Sequence, residues 1–261
     1  MVRREPGQAP RELRDHVAIE EPLEIRVGGR PISVTMRTPG ADEALAAGFL
    51  LSEGLIRERR DVERIAHCDV ESNCEGGATI NAVVAQHVAL DLVKLTRHVF
   101  ASSSCGICGS ATIDAIRKSF PRVESDLVVD AALIQSLADR LRAAQPTFEA
   151  TGGLHAAALF DDTGAIRHAA EDVGRHNAVD KVLGKALLAD ELPARRSILM
   201  VSGRASFEII QKALAGGVPI VVAISAPSTL AVDLASEVGI TLIGFLRPRG
   251  FNVYSNAERI R

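Results

Sequence analysis

Apolar and polar residues alternate through Leu23, Ile25 and Val27, then Ile32, Val34 and Met36, about the pair Gly28-Gly29. That two-residue period suits a β-hairpin with a tight turn. A helix is predicted over Ala41 to Glu53, ended by Gly54, and strand-like pieces follow at Ala78 to Ala85 and Val88 to Leu92. Beyond the loop "TRHVFASSS" lie two amphipathic helical stretches, Ser110 to Ser119 and Asp130 to Ala144. The second carries Leu133, Leu137 and Leu141 at four-residue spacing and is stopped by Gln145-Pro146. From Leu154 onward the pattern becomes strand "LHAAALF", turn "DDTG", strand "AIRHAA", helix "NAVDKVLGKALLA", strand "SILMV", helix "SFEIIQKALAG", strand "VPIVVAIS", helix "TLAVDLASEVG" and strand "ITLIGFL".

Short unbroken apolar strands between helices indicate an α/β sheet covered on both faces and at least partly parallel. The first third, 1–96, reads instead as a small α+β unit, with a soft boundary near Arg97 and the larger unit over 97–261. No internal repeat or low-complexity segment interrupts the chain.

Composition adds exclusions. In 261 residues, 47% are apolar and 24% charged, ordinary for a protein that buries a sizeable core. A formal charge of −3 argues against bulk electrostatic binding to nucleic acid or membrane, and one Tyr with no Trp disfavours a base-stacking platform. The polar leader has no apolar core, and no run approaches the roughly 18 apolar residues of a membrane span, so a cytoplasmic protein is expected. In that setting four cysteines read as thiols or ligands rather than a disulfide framework.

Two of them stand in "CGICG", Cys105 and Cys108, between serines and glycines. By itself C-x-x-C has three readings: a thiol–disulfide couple, half of a metal site, or an activated thiol with a neighbour. The remaining pair, Cys68 and Cys74, has a gap too long for the usual zinc spacing, and no H-x-E accompanies the motif as zinc deaminases require. The strand expected before a thioredoxin-type motif is weak. A nucleophilic thiol is favoured by Ser110, which can cap a following helix whose first amides stabilise a thiolate. Burial of both cysteines as small hydrophobes is the plain alternative.

Six motifs in order, "CGICG", "TGGLHAA", "EDVGRHNAVDKVLG", "SGRASFEIIQKA", "VAISAPSTLAVDLA" and "LIGFLRPRGFNVYS", resemble the formate dehydrogenase accessory sulfurtransferase family, FdhD/NarQ, over nearly the whole chain. The resemblance implies a cytidine-deaminase-like α/β/α sandwich without the zinc chemistry. It implies a carrier that takes sulfur from a cysteine desulfurase onto Cys105 as a persulfide, with Cys108 as its partner. The acceptor would be the molybdenum cofactor in its bis-guanine-dinucleotide form, bound as substrate and needed by formate dehydrogenase, and the carrier would be a homodimer. No resident metal is implied.

By matching motif, the cofactor would meet Phe245, Leu246, Arg247, Pro248, Arg249 and Gly250 after the last strand. Arg247 and Arg249 suit phosphates, against a solvated tail as the plain reading of Arg249. Arg175 and His176 stand just before a helix, where Asn177 could cap and His176 could contact a phosphate or protonate a leaving group. Asp172 and Asn177 read equally well as structural. Ser202 and Arg204, in "SGR" between strand and helix, could present amides to a phosphate, although Ser202 or Ser206 could serve only as a cap. His155 leans toward a satisfied core histidine. Cys68 and Cys74 receive no role. A thiol oxidoreductase and a non-catalytic chaperone that binds guanine nucleotide are the competing functions.

Overall fold

The computed structural model describes residues 1–68, 78–89 and 120–261. Strands β1 (Val2–Arg3) and β2 (Arg11–Glu12) form a small exposed ribbon. β3 (Glu21–Val27) and β4 (Arg30–Arg37) are the expected hairpin, and Gly28 and Gly29 both take positive φ, 56° and 81°, as the two central residues of a tight hairpin turn require. Helix α1 (Asp42–Ser52) follows, then β5 (Val62–His67) and β6 (Ala78–Val84), giving a sheet ordered β4-β3-β6-β5. β5 was not foreseen, and of the strand expected at Val88 to Leu92 only 88 and 89 are described, outside any strand.

The hairpin departs from its simple alternation. Leu23, Ile25, Val27 and Ile32 are buried, but Val34 and Met36 are 63% and 46% exposed. The register shifts between Ile25↔Ser33 and Arg26↔Pro31, so one extra residue in β4 reverses the faces beyond Ile32. Thr35 and Arg37 therefore turn inward, and Arg37 grips Asp42 with two hydrogen bonds of 2.9 Å.

The larger unit runs α2 (Ala131–Ala143), α3 (Pro146–Thr151), β7 (His155–Phe160), β8 (Ile166–Asp172), α4 (Arg175–Leu188), β9 (Ile198–Val201), α5 (Phe207–Ala215), β10 (Ile220–Ala223), α6 (Thr229–Val238), β11 (Thr241–Arg247) and β12 (Gly250–Ser255). Its sheet is ordered β12-β11-β10-β9-β7-β8, with β9, β10 and β11 mutually parallel and the other pairings antiparallel. Alternate residues feed two cores. Phe160, Met200, Val222 and Ile243 meet Ile134, Leu137 and Leu141 of α2, whereas Leu159, Leu199, Val221 and Leu242 face α1, α4, α5 and α6. The mixed α/β sheet covered on both faces is thus as read. β12 and α3, the latter opened by Pro146 in its first turn, escaped the sequence pattern. The boundary near residue 97 and the helix expected over 110–119 lie outside the described residues. Among the described residues no helix is long and apolar enough to cross a membrane.

The small unit is fastened to the large one along α1 and α4. A Cβ at Gly48 would overlap the Asp180 carbonyl, and one at Gly184 would overlap that of Ala44, so the helices meet backbone to backbone. Beside this contact the Asp180 carboxylate accepts from Lys212 at 2.8 Å through both oxygens and from Ser52 at 2.8 Å, tying α1, α4 and α5. Gly184→Ala should cost about 1–3 kcal/mol or more, because backbone has to move to admit the methyl group. Thermal melting checks this; an unchanged melting temperature would refute the close approach.

Candidate functional site

Parallel strands end together, so the loops after β9, β10 and β11 share one edge of the large sheet. Antiparallel β7 starts and β8 ends at that edge, where His155 pairs with Asp172. The loops are stitched: Ser225 N donates to Gly203 O (3.3 Å), Phe245 N to Ser225 O (3.1 Å) and Ser228 N to Ala205 O (3.0 Å). Three helices, α4, α5 and α6, begin here after Gly174, Ser206 and Ser228, so three positive dipole ends face the same way.

Asp172 organises the first of these starts. Its carboxylate is wholly buried and ion-paired to Lys181 at 2.7 Å, and it accepts from Thr38 N (3.2 Å), Gly174 N (2.8 Å) and Asn177 Nδ2 (3.0 Å). Asn177 also donates to Met36 O at 2.8 Å, so it clasps the hairpin rather than capping the helix, whose cap is Gly174. α4 consequently starts two residues earlier than expected, which puts Arg175 and His176 in its first turn at the edge.

Arg175 and His155 flank Gly203. Arg175 Nε is buried with no hydrogen-bond partner among the described residues, an orphaned cationic donor that calls for an anion or water. His155 is half-buried at the edge rather than satisfied in the core, and burial, with the nearby Arg175 and His176, pushes its pKa down against the opposing pull of Asp172. His176 Nε2 lies 3.2 Å from Ser206 Oγ and 3.1 Å from Glu208 Oε2. Glu208 is held down to about 2, first by the hydrogen bond from His176 and in spite of its burial.

Ser206 stands at the N-cap position of α5, but neither serine's side chain makes the capping hydrogen bond. Ser202 Oγ accepts from Ala156 N (2.9 Å) and extends the β7–β9 ladder, while Ser206 Oγ donates to Glu208 (2.9 Å). Arg204 is exposed beside them. On β11, Phe245 takes φ 54° at a bulge and is 41% exposed, and Arg247 donates to the carbonyls of Ile224 and Leu246 across the β10 loop. Pro248 and Arg249 form the exposed turn into Gly250 and β12. Leu246 is only 2% exposed and belongs to the core on the α2 side, so its side chain packs beneath the edge. Glu208 is the participant that motif reading missed; an acid two residues after Ser206 at a helix start was its one signal. Cys105, Cys108 and Cys74 lie outside the described residues, and Cys68 is partly exposed.

Among the described residues, anionic competition at this edge is low. Glu171 is spent on the α3 amides of Thr147 (3.0 Å) and Phe148 (2.6 Å), Asp172 on Lys181, and Glu208 on His176. What remains is a rim of Arg175, Arg204, Arg247 and Arg249 over helix N-termini, an arrangement that can hold phosphates.

Fold and edge thus define a mixed α/β protein with an anion-receptive strand edge. The sequence matches the FdhD/NarQ family over residues 18–261, and the chain belongs to that family. It is 52% identical to the sulfur carrier protein FdhD of Streptomyces coelicolor, covering 94% of this chain and 89% of that one. To the sulfur carrier protein FdhD of Mycobacterium tuberculosis it is 49% identical, over 94% and 91%. The crystal structure of a formate dehydrogenase accessory protein from Desulfotalea psychrophila superposes with a TM-score of 0.79 at 28% identity, covering 100% of this chain and 97% of that one. A sulfur-carrier role in formate dehydrogenase maturation follows from this membership.

Two outcomes are expected. Lys181→Met should destabilise the protein by about 3–5 kcal/mol, since it strands a buried carboxylate; chemical denaturation measures it, and a neutral result would contradict the pairing. Glu208, depressed from 4.5 to about 2, contributes stability that is full above pH 4.5 and lost as pH falls toward 2. The stability gap between wild type and Glu208→Gln should therefore shrink over that range in acid denaturation, and a gap that widened would reverse the assignment.

Proposed function

We propose that this chain carries sulfur as a persulfide on Cys105 and delivers it to the bis-guanine-dinucleotide molybdenum cofactor, held as substrate at the sheet edge, for formate dehydrogenase. The observation that carries the reading is the convergence of Arg175, His176, Ser202, Arg204, Phe245 and Arg247, from three separate motifs, on one edge with a buried guanidinium nitrogen that has no partner among the described residues. A dinucleotide supplies several phosphates, and three helix N-termini beside four arginines suit them. The sheet with a helix layer on each face supports the cytidine-deaminase-like description of the fold.

Loading is thiol exchange. The Cys105 thiolate attacks the outer sulfur of a desulfurase persulfide, forms Cys105–S–SH and releases the donor's cysteine thiolate. In delivery, the Cys108 thiolate attacks the inner sulfur, forming a Cys105–Cys108 disulfide and releasing hydrosulfide to the acceptor. Electrons balance, because the two thiols become a disulfide as the outer sulfur leaves reduced. Free thiols that cycle through a persulfide fit a reducing, cytoplasmic setting. Partners in this reading are a cysteine desulfurase, formate dehydrogenase and a second copy of the chain.

Mass spectrometry after incubation with a cysteine desulfurase and cysteine should show one added sulfur on the Cys105 peptide, lost in Cys105→Ala. If no cysteine gains sulfur while guanine nucleotide still binds, the chain is a cofactor chaperone. A readily cycled Cys105–Cys108 disulfide with indifference to guanine nucleotide would mark a thiol oxidoreductase.

A further inference from the structure

His176 stands in the first turn of α4 beside Arg175, and its Nε2 meets two oxygens of α5, Ser206 Oγ at 3.2 Å and Glu208 Oε2 at 3.1 Å. Ser206 Oγ is itself 2.9 Å from Glu208 Oε2 and donates to it. An ionised carboxylate only accepts, and a hydroxyl has a single proton. Ser206 commits that proton to Glu208, so toward His176 it offers lone pairs alone. Both neighbours of Nε2 are then acceptors, and Nε2 has to carry a proton. Nδ1 has no partner among the described residues.

We propose that Glu208 is the positioning residue of the anion-receptive edge: with Ser206 it holds His176 protonated on Nε2, leaving Nδ1 free to take up a proton and bind a phosphate oxygen. The inference rests on the reading of this edge as a nucleotide diphosphate site. Among the described residues, the groups around the ring are Glu208 on α5, Arg175 on its own helix and His155 on β7. Asp172 on β8 is committed to Lys181. Burial, with the nearby Arg175 and His176, pushes the His155 pKa down, which disfavours a competing charge as the second proton arrives on His176. The carboxylate offsets the imidazolium charge, and the ligand supplies the anion that retains the proton on Nδ1. Ligand binding and proton uptake from solvent are thereby coupled at one ring.

Titration calorimetry with guanosine diphosphate, from pH 6 to pH 8 in buffers of different ionisation enthalpy, tests this on wild type, Glu208→Gln, His176→Ala and the double variant. Wild type should take up a proton on binding and bind more weakly as pH rises. Glu208→Gln should weaken binding roughly tenfold at pH 6, the order of one charge-assisted hydrogen bond, and flatten the pH dependence. In the His176→Ala background the same substitution should change nothing. An equal loss in both backgrounds would mean that Glu208 acts through α5 itself, and unchanged affinity would remove its role; either overturns the proposal. Nitrogen-15 spectra of the imidazoles give an independent reading: Nε2 of His176 protonated in wild type, with mixed tautomers in Glu208→Gln. Should wild type fail to bind the diphosphate, the nucleotide reading falls and the spectra alone decide, an Nδ1-protonated His176 in wild type overturning the positioning role.

Discussion

The arrangement turns on one carboxylate with no exposure to water, Asp172. A buried charge is tolerated only when paired and hydrogen-bonded, and Asp172 draws its partners from three places: the Thr38 amide after the hairpin, the Gly174 amide in the turn, and Asn177 and Lys181 on α4. Lys181 also donates to Thr38 O at 2.7 Å, and Val173 N donates to Thr38 Oγ1 at 3.1 Å. Satisfying this one charge fixes the hairpin, the end of β8 and the start of α4 against one another. Arg175 and His176 are delivered to the sheet edge as a consequence.

The edge acquires its character by subtraction as much as by addition. Parallel strands align three helix N-termini, and each nearby acid has been given work elsewhere: Glu171 caps α3, Asp172 holds Lys181, Glu208 holds His176. Among the described residues the arginines therefore face an anion without an internal competitor. The bulge at Phe245 and the reach of Arg247 to the β10 loop carry the last hairpin past the ends of the parallel strands, which places the "FLRPRG" segment alongside the same edge.

The helices and buried strands of the larger unit were legible from hydrophobic period, because "ILMV" and "IVVA" are apolar on both faces and α2 shows a clear stripe. Less visible were β5, whose "VERIAH" mixes charges into a strand with one covered face, and β12, whose residues are mostly half-buried. Val34 and Met36 continue the apolar alternation of the hairpin yet are solvent-facing, since a single extra residue in β4 inverts everything after it. Asn177 looked like a cap because local propensity favours it there, yet a long-range partner, the Met36 carbonyl, claimed its side chain.

Of the site, the motif-bearing residues could be named from the chain alone, since residue type and order carry the chemistry of thiols and guanidinium groups. Which of them touch a common space could not. Leu246 and Phe245 are neighbours in sequence, and only the alternation of a paired strand, broken by a left-handed bulge, sends one into the core and leaves the other exposed. Glu208 gains its partner only when α5 is packed beside α4 and His176 comes within 3.1 Å. Short-range pattern settles which elements form, because it reflects burial of one face of a helix or strand. The pairing of charges from separate elements is decided by desolvation, and desolvation exists only once the elements have closed on one another.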